Sequence, residues 1–332
     1  MNRKELDSIF EQFNSLKALI VGDVMIDSYM WGETTRMSPE APVPIVAVSK
    51  KENRLGGAAN VALNVQSLGA TPILCSIIGN DNAGQEVIRL LENQQLSGAG
   101  MVTDSDRPTT VKTRVIAADK HALRVDEEVE TDISPTKEDE LFNRISELIK
   151  SEEPQVVIFE DYNKGVLTHS LIQKTIKHCE KLQIPTIADP KKKNFLSYKN
   201  ITLFKPNLKE LNEGLNISVD PSNEESIKSG FCALHDHLKY TNALVTLSEY
   251  GIAIDRNGNS FFQDAYKRNI LDVSGAGDTV LSTAALCLAL HIPKEILATL
   301  SNLAGGLVCE KVGVVPIDKA QLLQEAINQI KS

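Results

Sequence analysis

The stretch Asp272-Val273-Ser274-Gly275-Ala276-Gly277-Asp278-Thr279 decides how the rest of the chain is read. Two glycines stand just before a largely apolar run, Val280 to Leu290, that contains no Gly or Pro. The run predicts a helix, and the glycines predict a tight loop opening into its N-terminus. First-turn N–H groups lack intrahelical partners, and the helix dipole favours negative charge there. Without Cβ atoms in the way an anion can approach the backbone closely, and phosphate is the expected one. Asp278 sits in that same first turn, where a carboxylate alone would weaken an anion site. It makes sense if it takes a proton from a hydroxyl that attacks the phosphate. It can also serve as a helix cap, and the two roles are compatible.

Two other phosphate loops fail the test. The chain has no G-x-x-x-x-G-K-[ST] string. A dinucleotide fingerprint needs a third glycine where Val280 stands, and it belongs near the start of a βαβ unit rather than late in the chain.

The 332 residues, 42% hydrophobic, suffice for one large α/β unit with an appendage. A net charge of −9 argues against a nucleic-acid or anionic-membrane partner. Lys191-Lys192-Lys193 is too short to reverse that. Cys75, Cys179, Cys232, Cys287 and Cys309 form no C-x-x-C pair, and four of them have apolar neighbours, as expected of core thiols in a reducing cytoplasm. The charged N-terminus lacks a signal segment, no run of about 18 apolar residues is present, and the six histidines lack metal-ligand spacing.

Taken in order, residues 2–15 read as an amphipathic helix and Leu19-Ile20-Val21 as a buried strand closed by Gly22. Asp23 and Asp27 follow its carboxyl end, where open α/β sheets bind ligands. They are candidate hydroxyl acceptors or solvated loop carboxylates. Residues 31–44 read as irregular, because Gly32, Pro39, Pro42 and Pro44 forbid a helix, and 43–48 as an edge strand. Arg54-Leu55-Gly56-Gly57 opens a helix whose apolar face is Ala58, Val61, Val65 and Leu68, stopped by Gly69. Gly57 lets a ligand near the backbone, and Asn60 can point the same way. Residues 73–78 read as a strand and 83–96 as a helix. Thr109 to Ala117 alternates, and Asp119-Lys120 can turn it into a second strand, 121–125. Such a half-polar sheet suits a lid beside an active site. Helix 137–150, strand 155–159, helix 168–182 and strand 186–188 then alternate as parallel βαβ units. Strand ends lead into Glu160 to Gly165, Asp189-Pro190-Lys191 and, after 201–204, Lys205 to Glu210. Strand 243–247 and a hairpin about Asn257-Gly258 precede the glycine loop, and helices near 293–311 and 318–331 close the chain.

Gly56-Gly57-x-x-Asn60, Asn207-x-x-Glu210 and Asp272-x-x-Gly275-x-Gly277-Asp278, in that order, resemble the ribokinase-like (PfkB) carbohydrate kinases over residues 17–316. The resemblance implies a three-layer α/β sandwich with a mainly parallel sheet and a small β-sheet lid, here about 28–54 and 109–126, in a single domain. It implies that Asp278 is the general base on the acceptor hydroxyl and that amides around Gly275, Ala276 and Gly277 hold the developing charge. Asn207, Leu208, Lys209 and Glu210 would serve ATP and Mg²⁺, Glu210 through water. Thr246, Gly251, Asn302 and Gly306 would border the nucleotide. Gly57, Asn60, Asp23 and Asp27 would hold the sugar.

Within the family, Arg36-Met37-Ser38-Pro39-Glu40-Ala41-Pro42-Val43-Pro44, Asp161-Tyr162-x-Lys164-Gly165, Asp189-Pro190-Lys191 and Thr246-x-Ser248-Glu249-x-Gly251 are similar to kinases of D-glycero-β-D-manno-heptose 7-phosphate. Those phosphorylate the C1 hydroxyl on the way to ADP-heptose for lipopolysaccharide core. A nucleotidyltransferase domain often follows; here the sequence closes soon after the kinase pattern. The expectation is a kinase alone, whose product passes to a separate phosphatase and nucleotidyltransferase. Leu55, Ser274 and Lys205 depart from the usual residues without touching the base. A phosphorylated substrate needs cations away from the transfer site, and Lys164, Lys191, Arg124, Arg36 and Arg114 are the candidates. A homodimer is expected, since the lid's apolar face must be covered. Alternatives are a ribokinase- or phosphofructokinase-like enzyme, or a regulator that binds sugar and nucleotide without catalysis.

Overall fold

In the computed structural model, residues 2–117 and 120–329 are described. Asp119 of the expected turn and residues 330–331 of the expected last helix lie outside them. Helix α1 (Arg3–Phe13) leads into β1 (Lys17–Gly22), followed by the long strands β2 (Val24–Met37) and β3 (Pro44–Gly57). Next come α2 (Ala58–Ser67), β4 (Thr71–Gly79), α3 (Asn82–Asn93), β5 (Gly100–Asp104), β6 (Val111–Ala117) and β7 (Lys120–Glu127). A regular alternation then runs α4 (Pro135–Glu152), β8 (Val156–Glu160), α5 (His169–Lys181), β9 (Thr186–Asp189) and β10 (Leu203–Phe204). Helices α6 (Leu208–Leu215) and α7 (Glu224–Leu238) precede β11 (Asn242–Thr246) and the hairpin β12 (Ile252–Arg256) and β13 (Asn259–Gln263). The chain ends with α8 (Ala276–Ala289), α9 (Lys294–Val308) and α10 (Lys319–Gln329).

The large sheet has nine strands in the order β13-β12-β11-β10-β9-β8-β1-β4-β5, parallel except for the hairpin edge. Its central strands are buried on both faces, which is why they read as continuous apolar runs. On β1, Ala18 and Ile20 pack with α1, α2, α8 and α9, whereas Leu19 and Val21 pack with α4, α5 and α7. Pleat alternation thus makes two apolar layers from one strand. Cys75, Cys179, Cys287 and Cys309 are buried, and Cys232 on α7 is exposed.

The small sheet runs β3-β2-β6-β7. Residues 31–37, expected to be irregular, are the outer half of β2, because Pro and Gly exclude helix there but not strand. Pro39 and Pro42 fall in the turn, and Pro44 takes the first position of β3. Likewise Arg54 to Gly57 belong to the end of β3, and the helix begins only at Ala58. Asp27 lies within β2 rather than in a loop.

Gly57 marks the change of direction. Its φ is +60°, and a Cβ there would lie 2.2 Å from the carbonyl oxygen of Asp23. That combination of left-handed backbone and direct contact excludes any side chain. Gly57→Ala is expected to lower the unfolding free energy by about 2 kcal/mol, read from urea denaturation of the two proteins.

Candidate active site

The carboxyl ends of β1, β8, β9, β10 and β11 lie on one rim, and α8 begins against it. Gly275 is the N-cap of α8, in the left-handed region at φ +79° with no side-chain cap. Asp278 therefore sits one turn in and is not the cap. Among the described residues, the amides of Gly275, Gly277 and Asp278 have no protein acceptor, so the first turn presents open donors. Asp272 fixes the loop by accepting from the amides of Ser274 and Gly313, both at 2.9 Å.

Asp278 is 5% exposed. Its Oδ1 accepts from the Tyr162 hydroxyl at 3.2 Å, while Oδ2 has no partner among the described residues. Burial and the nearby Asp189 carboxylate raise its pKa to about 6, against the opposing pull of Tyr162, Asn60 and Lys205. Glu160 and Asp189 extend the acidic cluster, and each also has one buried oxygen without a hydrogen-bond partner among the described residues. Burial, then Asp189 and Asp278, push the Glu160 carboxyl well up. Two lysines offset the charge. The Lys205 ammonium is 2.8 Å from Asp189 Oδ2, with both groups buried. The Lys191 ammonium pairs with Glu210 and lies 3.9 Å from Asp189 Oδ1. Burial opposes both ammonium charges, but the surrounding carboxylates outweigh it and raise both pKa values.

A cleft of about 600 Å³ opens beside this turn. Thr246, Gly251, Asn302 and Gly306 all line it, together with Ala276 and Gly277. Asn207 and Glu210 lie at the start of α6, where they form a reciprocal capping box at 2.9 and 2.8 Å. Asn207 bridges to Thr246 in a parallel β-bridge, which joins α6 to the cleft's edge. Leu208 packs toward the core, and Lys209 is 82% exposed beside Glu213. Both Glu210 oxygens are engaged, one by the Asn207 amide and one by Lys191.

The sugar-side residues divide. Asp23 is buried, and its carboxylate accepts from the amides of Tyr162, Lys164 and Val166 at 2.9–3.1 Å. Asp27 is also buried, and Arg114 donates to its Oδ1 at 2.5 Å. Neither is a solvated loop carboxylate. Asp27 and Asn60 line a hollow of about 340 Å³ with Tyr29 and Arg54. Arg54 and Arg114 both lie over the Tyr29 ring, at 5.0 and 5.4 Å. Of the cations singled out by sequence, Lys164 is held by Glu128 and Glu130, each at 2.8 Å. Arg124 pairs with Asp126 on its own strand, and Arg36 is exposed far along β2. Lys191 stays at the rim, 5.8 Å from the Tyr162 ring centre. Sequence reasoning gave Glu160, Tyr162 and Arg54 no role. Only the position of Glu160 and Tyr162 after a strand end marks them out.

Residues 15–320 match the pfkB family carbohydrate kinase pattern. The chain belongs to the pfkB family of carbohydrate kinases. It is 34% identical to a bifunctional protein HldE of Citrifermentans bemidjiense over 98% of this chain and 66% of that protein. It is 36% identical to one of Syntrophotalea carbinolica over 97% of this chain and 65% of that one. The chain thus spans about two thirds of the length of these relatives. Among solved structures, phosphofructokinase-2 of Escherichia coli shares the fold at TM-score 0.76 and 16% identity, covering 96% of this chain and 99% of that one. An Arabidopsis thaliana ribokinase complexed with ribose and ATP does so at 0.70 and 17%, over 93% and 98%. The sandwich of a mainly parallel sheet with a small separate sheet is therefore the ribokinase-like fold, and the enzyme is a sugar kinase. Among the described residues no helix is long and apolar enough to cross a membrane.

Placing a carboxylate in this kinase's interior has a thermodynamic cost. Because the folded-state pKa of Asp278 is raised above the ordinary 3.8, its contribution is fully present below about pH 4 and is lost as pH rises through about 6. Asp278→Asn is expected to stabilise the protein at pH 7 by on the order of 2 kcal/mol, with little gain at pH 4, in paired denaturation curves.

Proposed function

We propose that the enzyme transfers the γ-phosphoryl group of ATP to the C1 hydroxyl of D-glycero-β-D-manno-heptose 7-phosphate, giving the 1,7-bisphosphate. The observation that carries phosphoryl transfer is the Asp278 carboxylate, with one oxygen held and the other free, beside open first-turn amides at the cleft. The acceptor hydroxyl gives its proton to Asp278 as its oxygen attacks phosphorus and the bond to ADP breaks. The amides of Gly275 and Gly277 take up the charge that develops on the transferred group. ATP occupies the cleft bordered by Thr246, Gly251, Asn302 and Gly306. Glu210 would hold Mg²⁺ through water, and the ion would supply charge neutralisation for the phosphates.

The heptose assignment rests on the resemblance of the Arg36–Pro44, Asp161–Gly165, Asp189–Lys191 and Thr246–Gly251 segments. It is supported by the similarity to HldE proteins. The hollow with Asp27 and Asn60 suits the sugar, and Arg54 and Arg114 beside it suit a distant phosphate. Exposed Met37, Val48, Leu123 and Val125 on the small sheet favour a homodimer. We place the reaction in the cytoplasm, upstream of a phosphatase and a nucleotidyltransferase.

A panel of sugars and sugar phosphates with ATP tests the substrate. Heptose 7-phosphate should give the highest kcat/KM. A preference for unphosphorylated ribose or for fructose 6-phosphate would instead assign a ribokinase- or phosphofructokinase-like activity. Asp278→Asn should lower kcat by about 10³-fold or more while ATP still binds by calorimetry, as loss of a general base requires. Unchanged turnover would remove Asp278 from the chemistry and leave a mere structural acid.

A further inference from the structure

Tyr162 stands where no sequence argument gave it work. It follows β8 by two residues, and its hydroxyl donates to Asp278 Oδ1 at 3.2 Å. The loop that carries it is fixed from below, because one carboxylate, Asp23, accepts from the amides of residues 162, 164 and 166. The Lys191 ammonium lies over the Tyr162 ring, 5.8 Å from its centre. The ring is thus held at its backbone, on one face and at its hydroxyl.

We propose that Tyr162 is a positioning residue for the catalytic base. By occupying Oδ1 it leaves Oδ2 as the only oxygen of Asp278 able to receive the acceptor's proton, and it fixes the carboxylate's rotation. The inference rests on Asp278 being the base. It also assigns Asp23 a supporting task, that of holding the Tyr162 loop.

The electrostatics agree with the geometry. Asp278 faces Glu160 at the end of β8, Asp189 at the end of β9, Lys205 after β10 and Asn60 on α2. Its carboxylate is raised by burial and by Asp189, and the Tyr162 hydroxyl works in the opposite direction. Donation to the charged form favours that form, so removing the hydroxyl makes the carboxylate harder to ionise. The base is then active only at higher pH.

Tyr162→Phe removes one oxygen and keeps the ring, so it tests the hydroxyl in an otherwise intact chain. With ATP and heptose 7-phosphate, the acid limb of the kcat–pH profile should move up by about one pH unit, and kcat near pH 6 should fall about fivefold. KM for ATP should stay within about twofold of wild type, since the hydroxyl faces the base and not the nucleotide cleft. A structural defect would lower kcat evenly across pH and leave the limb in place. An active wild type, an inactive Asp278→Asn and a Tyr162→Phe limb that superimposes on wild type would overturn this inference alone. A wild type inactive on every sugar phosphate would overturn the functional reading beneath it.

Discussion

Everything at this site depends on packing like charges together in the protein interior. Glu160, Asp189 and Asp278 come from three different elements and share one buried volume. Among the described residues, two ammonium groups, Lys191 and Lys205, stand close enough to offset them. Neither lysine could be removed cheaply, since a lone carboxylate left behind would be stranded in a low-dielectric interior. In the proposed mechanism this excess negative charge is what would make Asp278 a useful base. An ordinary surface aspartate, ionised down to about pH 4, would be a weaker proton acceptor. The parallel sheet supplies the constraint, because it brings successive strand ends to one rim whatever residues they carry.

Much of this was legible before any coordinates. The βαβ rhythm from residue 135 to 189 is written in apolar runs of strand length separated by amphipathic helices, and the elements fall within two residues of their expected bounds. The glycine loop is equally plain, since few structures need two glycines just before a long helix. Four residues scattered from Thr246 to Gly306 line one cleft, a convergence that only the family resemblance could anticipate. The misreadings have physical causes. Proline and glycine between residues 31 and 44 exclude helix, but Gly32 sits at a bulge of the inner strand β2 and Pro44 opens the edge strand β3, where each is tolerated. The Gly56-Gly57 pair looks like a helix start because glycine serves strand ends and helix starts alike. Partners are harder still to read. Lys164 follows a strand end, as a ligand-binding lysine would, yet Glu128 and Glu130 hold it from a segment more than thirty residues away. Tyr162 is the same problem in reverse, since a partner 116 residues distant leaves no local trace. Helix α7 was missed, although Ile227, Phe231, Leu234 and Leu238 follow helical spacing behind its Asn223 cap. Strand β5, with one short burial pattern and a glycine at its start, carries no such signal.

The two halves of the site differ in how settled they are. The cleft proposed for the nucleotide has glycines at 251, 277 and 306 and open amides on α8 at its wall. The hollow proposed for the sugar is framed by ion pairs, Arg114 with Asp27 and Arg54 with Glu52, around Tyr29. Backbone contacts recognise any phosphate donor of the right shape, whereas exchangeable ion pairs discriminate among acceptors.

The chain crosses from the large sheet to the small one at Asp23 and returns at Gly57, and the amide of Ala58 donates to the Asp23 carbonyl at 3.0 Å. This crossing and this return therefore meet at a single point. The Asp23 side chain at that point also accepts from the amides of Tyr162, Lys164 and Val166. One aspartate thus ties the junction of the two sheets, through its carbonyl, to the loop that steadies the tyrosine, through its carboxylate.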